Sequence, residues 1–347
     1  VPAAAYILNS VDRTSCDTTV PVLEEAKSVA SNEAAKGGKP SSQILASHRS
    51  KAGMTGGEDA QGYFHGLFPK RQLWRPKVEY PLWDHDWDGR RGPPTGDADA
   101  DKQRERQLRK TGVTRHIILI RHGQYDETHK EDEKRLLTPL GREQADLTGK
   151  RLAEMIKGIE DDPKFGPCNV KVLRVSDMAR AKETADIIAK HVPGVERAES
   201  DPLLNEGRPS HHIPGGKVGS SVIKRTDENH PRIEQAYSKY FYRADPPSEQ
   251  EMENNATDQD GDKSTHHGPN PKHEFEVIVC HANVIRYFLC RALQIPPEAW
   301  LRFCTFNCSI SYLTIRPTGS VSCRMVGDIG HLDYGHSTFS MHHGYNW

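Results

Sequence analysis

Four apolar residues, Ile117-Ile118-Leu119-Ile120, run directly into Arg121, His122, Gly123 and Gln124. An imidazole and a guanidinium at the tip of a buried strand are suited to nucleophilic, acid–base or anion-binding work. Gly123 would let the backbone turn sharply and a ligand approach. The same arrangement recurs at Phe275–Cys280, a largely apolar run that ends in His281, with Asn283 at a helix start. Taken singly, such a histidine is more often a hydrogen-bonded loop residue. Two parallel strands, however, would aim both rings into one crevice at the strand carboxyl ends, where open α/β sheets bind ligands. Arg180 falls in the first turn of a helix after another strand. A cation there opposes the helix dipole, and an acidic neighbour such as Asp177 or a bound anion would offset it. Glu206, in Leu203-Leu204-Asn205-Glu206-Gly207, adds a carboxyl group, and Asn283 is either a further donor or a cap.

These side chains meet only if the elements between them form a sheet. Val170–Val175 reads as a second strand and Phe275–Cys280 as a third, each continuous enough for burial on both faces. Thr138-Pro139 opens a helix, with Thr as N-cap and Pro at the first helical position. Asp177 is expected to cap the next helix, and another is expected near Ile233–Tyr242. Cys308–Ile315 and Ser320–Met325 read as a hairpin across Pro317-Thr318-Gly319. Alternating strands and helices predict an α/β fold, a three-layer α/β/α sandwich on a mostly parallel sheet.

Composition divides the chain. Only 35% of its 347 residues are hydrophobic, and mean hydropathy is −0.75. Some of it therefore reads as tail or loop. Residues 1–62 are expected to be disordered apart from a weak helix at Val22–Ala35. Residues 63–112 form an arm and linker: Tyr63, Phe64, Phe68, Trp74, Tyr80, Trp83 and Trp87 crowd together among prolines, so these rings must dock on their own domain or on a neighbouring subunit. Asp101–Lys110 reads as a charged helix with a solvated face. Residues 113–330 form the compact domain, interrupted by an acidic insert at 246–273 that looks disordered. Residues 331–347, with His331, His336, His342 and His343, are expected to be a plain polar tail. The acidic run Asp258, Asp260, Asp262 lacks a glutamate at the twelfth loop position, so it is not read as a calcium site.

A net charge of −1 gives no field that would favour nucleic acid. Seven cysteines without CxxC spacing argue against a disulfide framework or zinc knuckle. No stretch approaches the roughly 20 apolar residues that span a bilayer. The chain starts at Val1, and a membrane-anchoring segment is expected to be missing from it.

Arg121-His122-Gly123, the block Ser176-x-x-x-Arg180-Ala181-x-x-Thr184, the Leu204-x-Glu206 loop and Cys280-His281-Ala282-Asn283-Val284 resemble the histidine phosphatase superfamily, the phosphoglycerate mutase-like fold. Thr138–Ala145, His281–Tyr287 and Trp83-Asp84-His85-Asp86-Trp87-Asp88 resemble its mitochondrial serine/threonine protein phosphatase branch. The last of these is similar to an assembly motif, WDxNWD, with Asp86 in place of Asn. The resemblance implies catalysis by His122, Glu206 and His281, with Arg121, Arg180 and Asn283 on the substrate phosphate. His122 would attack phosphorus and form a phosphohistidine. The arginines and His281 would clamp the equatorial oxygens. Glu206 would protonate the leaving oxygen and later activate water. No metal and no other cofactor is called for.

The resemblance also implies phosphoprotein substrates, a mitochondrial setting with membrane attachment only through the missing segment, and a homo-oligomer built through Trp83, Asp84, Trp87 and Asp88. Two rival readings remain at this stage. One is a small-metabolite phosphatase or mutase, although mutases of this fold typically have Glu where this chain has Gln124. The other is a multimeric scaffold whose catalysis is incidental.

Overall fold

The computed structural model describes residues 83–159, 162, 166–215, 218–245 and 273–345. The weak helix at Val22–Ala35, the aromatics before Trp83 and nearly all of the 246–273 insert lie outside them.

Strand β1 (Thr114–Arg121) stands inside a six-stranded sheet of order β3-β2-β4-β1-β5-β6, whose other members are β2 (Val170–Ser176), β3 (Glu196–Asp201), β4 (His273–Cys280), β5 (Ile310–Ile315) and β6 (Val321–Asp328). β1, β4, β2 and β3 pair in parallel, while β5 and β6 are antiparallel additions. The run expected to be the third strand is the fourth. β3, Glu-Arg-Ala-Glu-Ser-Asp, is a half-exposed edge strand with no apolar run to announce it.

The side-chain alternation of β1 builds two cores. Ile117 and Leu119 point to one face with Ile278 and Cys280 of β4. They meet helix α4 (Ser220–Tyr240) through Ile233, Ala236 and Tyr237, and helix α5 (Ala282–Ala292) through Val284, Ile285 and Phe288. Ile118 and Ile120 point the other way with Val277 and Val279. There they meet Leu152 of helix α2 (Pro139–Lys157) and Ala181, Ala185 and Ile188 of helix α3 (Ala179–His191). This is the three-layer sandwich.

Thr138 caps α2 as its sequence predicts, its hydroxyl accepting the Gly141 N–H at 3.0 Å. Asp177 does not cap α3. The N-cap is Met178, and the Asp177 carboxylate instead binds Ser200 of β3 (2.7 Å) and Lys182 (3.1 Å). α4 begins thirteen residues before the expected Ile233, because its first turns are polar and carry no apolar stripe. The charged helix α1 (Ala98–Thr111) has no buried residue.

The tail is not a plain polar one. Leu332, Ser337 and Thr338 are buried. The buried Gln144 amide on α2 donates to His336 O (2.7 Å) and Thr338 Oγ1 (2.8 Å). Tail positions were unreadable because their partners are backbone atoms and a helix residue 192 and 194 positions earlier.

Candidate active site

Parallel register sets the site. Arg121 pairs with Cys280, and the His122 N–H donates to Cys280 O at 3.0 Å, so the ladder runs one residue past the strand. His122 and His281 therefore leave adjacent strands side by side, with ring centroids 5.1 Å apart. Both are buried.

Gly123 serves a purpose other than a turn. A Cβ there would lie 2.5 Å from Gly141 O, and one on Gly141 would lie 1.9 Å from Gln124 O. The two glycines let the loop after β1 rest on the first turn of α2. The Gly123 N–H donates to Thr184 Oγ1 (3.0 Å), fixing the loop to α3 as well.

The His122 Nδ1 lies 2.7 Å from Gly123 O, so Nδ1 carries the proton and Nε2 keeps its lone pair. Arg180 Nε donates toward that Nε2 at 3.3 Å. Burial first, then the Arg180 and Arg121 charges, holds His122 well below the ordinary imidazole pKa. The ring is thus neutral and nucleophilic at pH 7. Arg121 Nη1 donates to Thr305 O (2.9 Å), while its buried Nε has no partner among the described residues. Burial lowers the Arg121 pKa to about 10, which leaves it charged at neutral pH.

The sequence question about Arg180 has an internal answer. Asp132, in a short 3-10 turn after β1, accepts the Ala179 N–H at 2.8 Å and Arg180 Nη1 at 3.1 Å. One carboxylate caps α3 and neutralises the misplaced cation.

Glu206 sits after a 3-10 turn, Pro202–Leu204, at the start of α5. Its oxygens accept the Gly207 N–H (2.9 Å) and the Asn283 N–H (3.4 Å). Burial raises its pKa above the usual glutamate value despite those donors and the nearby Arg180 and Arg121. A carboxyl that keeps its proton to higher pH suits a general acid. Asn283 does not cap α5, and among the described residues its side chain has no hydrogen bond to either imidazole. His281 is the N-cap, and Asn283 Oδ1 accepts from Arg286 Nη1 at 3.3 Å.

Several site residues escaped the sequence reading. Arg232 of α4 donates to the carbonyls of Leu203 and Asn205 (each 2.8 Å) and of Glu206 (3.3 Å), stapling the Glu206 loop. Ser176 Oγ lies 2.8 Å from His281 Nε2. The Arg180 guanidinium stacks 4.7 Å over the Tyr125 ring, which meets His122 edge-on at 5.1 Å. Arg286 has a buried Nε without a partner among the described residues. Ser176 and Arg286 carried a signal only as positions in the Ser-x-x-x-Arg block and in the His281–Tyr287 stretch.

The oligomerisation candidates lie elsewhere. Trp87 Nε1 donates to Gly319 O (2.8 Å) and its ring packs on Tyr237. Asp88 is buried against Arg243. The Asp84 N–H donates to Gln294 Oε1, and Trp83 Nε1 is buried without a partner among the described residues. The contacts of Asp84, Trp87 and Asp88 are to their own domain.

The α/β/α sheet gathers two histidines, two arginines and a raised carboxyl group at the carboxyl ends of its strands, groups whose chemistry suits a phosphoryl-type anion. The sequence pattern of the histidine phosphatase superfamily (branch 1) matches residues 117–327, and the chain belongs to that superfamily. Similar proteins include a Caenorhabditis elegans protein named "Serine/threonine-protein phosphatase Pgam5, mitochondrial". It is 43% identical over 259 residues, which cover 72% of this chain and 78% of that one. The Xenopus laevis protein of the same name is 42% identical over 263 residues, 72% of this chain and 81% of that one. Among solved structures, phosphoglycerate mutase from Plasmodium falciparum is 36% identical, with 64% of this chain and 93% of that chain covered and a TM-score of 0.38.

Proposed function

We propose that the chain is a mitochondrial protein phosphatase that hydrolyses phosphoserine and phosphothreonine through a phosphohistidine. The observation that carries this is the His122 ring, with Nδ1 tied to Gly123 O and Nε2 left as a lone pair between Arg180 and His281. The names of the relatives support the substrate class and the compartment.

In the first step, Nε2 attacks phosphorus in line as the ester P–O bond breaks. Arg121 and Arg180 hold the equatorial oxygens, and protonated Glu206 gives its proton to the leaving serine or threonine oxygen. In the second, the Glu206 carboxylate takes a proton from water, whose oxygen attacks phosphorus. The P–N bond breaks, releasing inorganic phosphate and neutral His122. The Gln124 side chain is engaged by Thr138 Oγ1 (2.8 Å) and Ser340 O (3.1 Å), which favours hydrolysis over the mutase reading.

The same reading makes Trp83, Asp84, Trp87 and Asp88 the assembly element and Asn283 a phosphate-side donor. It also takes residues 113–330 as the catalytic domain.

The decisive experiment is single-turnover reaction with a phosphopeptide. The wild-type chain should accumulate an acid-labile phosphoenzyme, and His122→Ala should form none and lose turnover. Full dephosphorylation by His122→Ala would overturn the assignment.

A further inference from the structure

Among the described residues, the two ring nitrogens of His281 have one hydrogen-bond partner. Nε2 lies 2.8 Å from Ser176 Oγ, and the buried Nδ1 has none. Ser176's other partners settle which nitrogen holds the proton. Asn205 Oδ1 accepts the Asp177 N–H at 3.0 Å, which fixes the amide orientation, and it also lies 2.8 Å from Ser176 Oγ. An amide oxygen cannot donate, so the Ser176 hydroxyl proton points at Asn205. The Met178 N–H donates to the same Oγ at 3.3 Å. With the only hydroxyl proton committed, the imidazole nitrogen facing Oγ must be the N–H. Neutral His281 therefore has a bare lone pair at Nδ1. A phosphate oxygen brought to that atom would meet lone pair against lone pair.

We propose that Ser176 is a positioning residue that locks His281 in its Nε2–H form, so that a phosphate group enters this site together with one proton, which is taken up at His281 Nδ1. The inference rests on the phosphatase reading of the site. It concerns binding, not bond cleavage: phosphate dianion and a solvent proton go in, and the imidazolium then donates Nε2–H to Ser176 and Nδ1–H to a phosphate oxygen.

The groups around the ring fit such a switch. Arg121 at the end of β1, Arg180 on α3, Arg232 on α4 and Arg135 before α2 all raise the local potential, and His122 lies beside it. Glu206 is the acidic group at this end of α5, held by the Asn283 N–H. Burial and the four guanidinium groups keep the empty-site ring neutral. An arriving dianion reverses that field.

The test is calorimetric titration of inorganic phosphate into the full chain at pH 8, where the dianion dominates, in buffers of different ionisation heat. The wild-type chain should take up about one proton per phosphate. Ser176→Thr, which keeps the hydroxyl, should do the same. Ser176→Ala frees the ring to carry its proton on Nδ1, and uptake should fall close to zero. Glu206→Gln should leave uptake intact, separating His281 from the other raised group. Phosphate binding by wild type without proton uptake, or unchanged uptake in Ser176→Ala, overturns the inference alone. Absence of phosphate binding by wild type overturns the phosphatase reading with it. Should Ser176→Ala fail to fold, nitrogen-15 spectra of histidine-labelled wild type decide the matter. The His281 signals, assigned by their loss in His281→Asn, should show Nε2–H when free and both nitrogens protonated with phosphate. An Nδ1–H form in the free protein refutes it.

Discussion

Glu206 shows how the same carboxyl can act as acid and then as base. Burial favours its protonated form, while the Gly207 and Asn283 N–H groups and the arginines favour the charged one. Burial prevails, so the acid form persists to higher pH than for an ordinary glutamate. The rate should fall as pH rises through that raised value. On the acid side, activity should persist well below pH 6.5, because His122 resists protonation. Glu206→Gln should lower kcat on a phosphoserine peptide by roughly 10²–10⁴-fold. Phosphoenzyme formation from an aryl phosphate, whose leaving oxygen needs no proton, should be slowed much less. Equal slowing of phosphoenzyme formation from the two substrates, measured by rapid quench, would remove Glu206 from the acid role. His122, Arg121 and His281 were legible because strand tips in a parallel sheet share an edge, and that follows from apolar runs alone. The contacts of Ser176, Arg232 and Arg286 were not, because a serine–imidazole contact or a guanidinium on carbonyl oxygens depends on packing angles that no spacing encodes.

Among the elements, the turn at Trp83–Asp88 shows the largest gap between sequence and structure. Its aromatics announced that it must dock, but not where. It docks through Trp87 on Tyr237 of α4 and through a carboxylate–guanidinium pair between Asp88 and Arg243, both nearly excluded from solvent. Arg243 also donates to Asp86 Oδ1 at 3.3 Å, so the acid that replaces asparagine in the motif makes a second ion pair. Burial works against the Asp88 charge, but hydrogen bonds from the Arg243 side chain and N–H outweigh it and hold the pKa below the usual carboxylate value. That stabilisation is complete above the unfolded carboxyl pKa and is lost only as pH falls through the lowered one. Asp88→Ala leaves the buried Arg243 with only its longer contact to the half-exposed Asp86, which should cost up to roughly 3–5 kcal/mol. Denaturant titration should show the loss. Hydrogen exchange should show residues 83–91 released, and sedimentation should show whether assembly fails with them. Edge strand β3 and the polar first turns of α4 stayed hidden because neither has an apolar face, and their position comes from what they pair with.

At the level of the whole molecule, the sheet is closed on one side by segments from the far end of the chain. The Asn307 N–H donates to Thr338 O at 2.9 Å, the Met341 N–H donates to Glu127 Oε1 at 3.2 Å, and among the described residues the Gln144 side-chain NH2 donates only to the tail. Removing residues 331–347 should therefore lower thermal stability, since each buried amide left unsatisfied costs about 1–3 kcal/mol. His336 adds a pH signature. Its hydrogen bond to Asp333, with help from Glu143, raises its pKa. The contact should be fully present below about pH 6.5 and weaken as pH rises through the raised value, read as a small fall in melting temperature that is absent in His336→Ala.

β1 has its own consequence for how the protein is made. Its two hydrogen-bonding neighbours are β4 and β5, so Ile117–Ile120 has no strand on either side until residue 280 has left the ribosome, and one edge stays open until residue 315 has followed. At 5–20 residues per second the most apolar segment of the nascent chain waits roughly 10–40 s for its partners. During that interval the residues destined to present the nucleophile are a sticky, open-edged ribbon. A cell making this protein must shield them before it can use them.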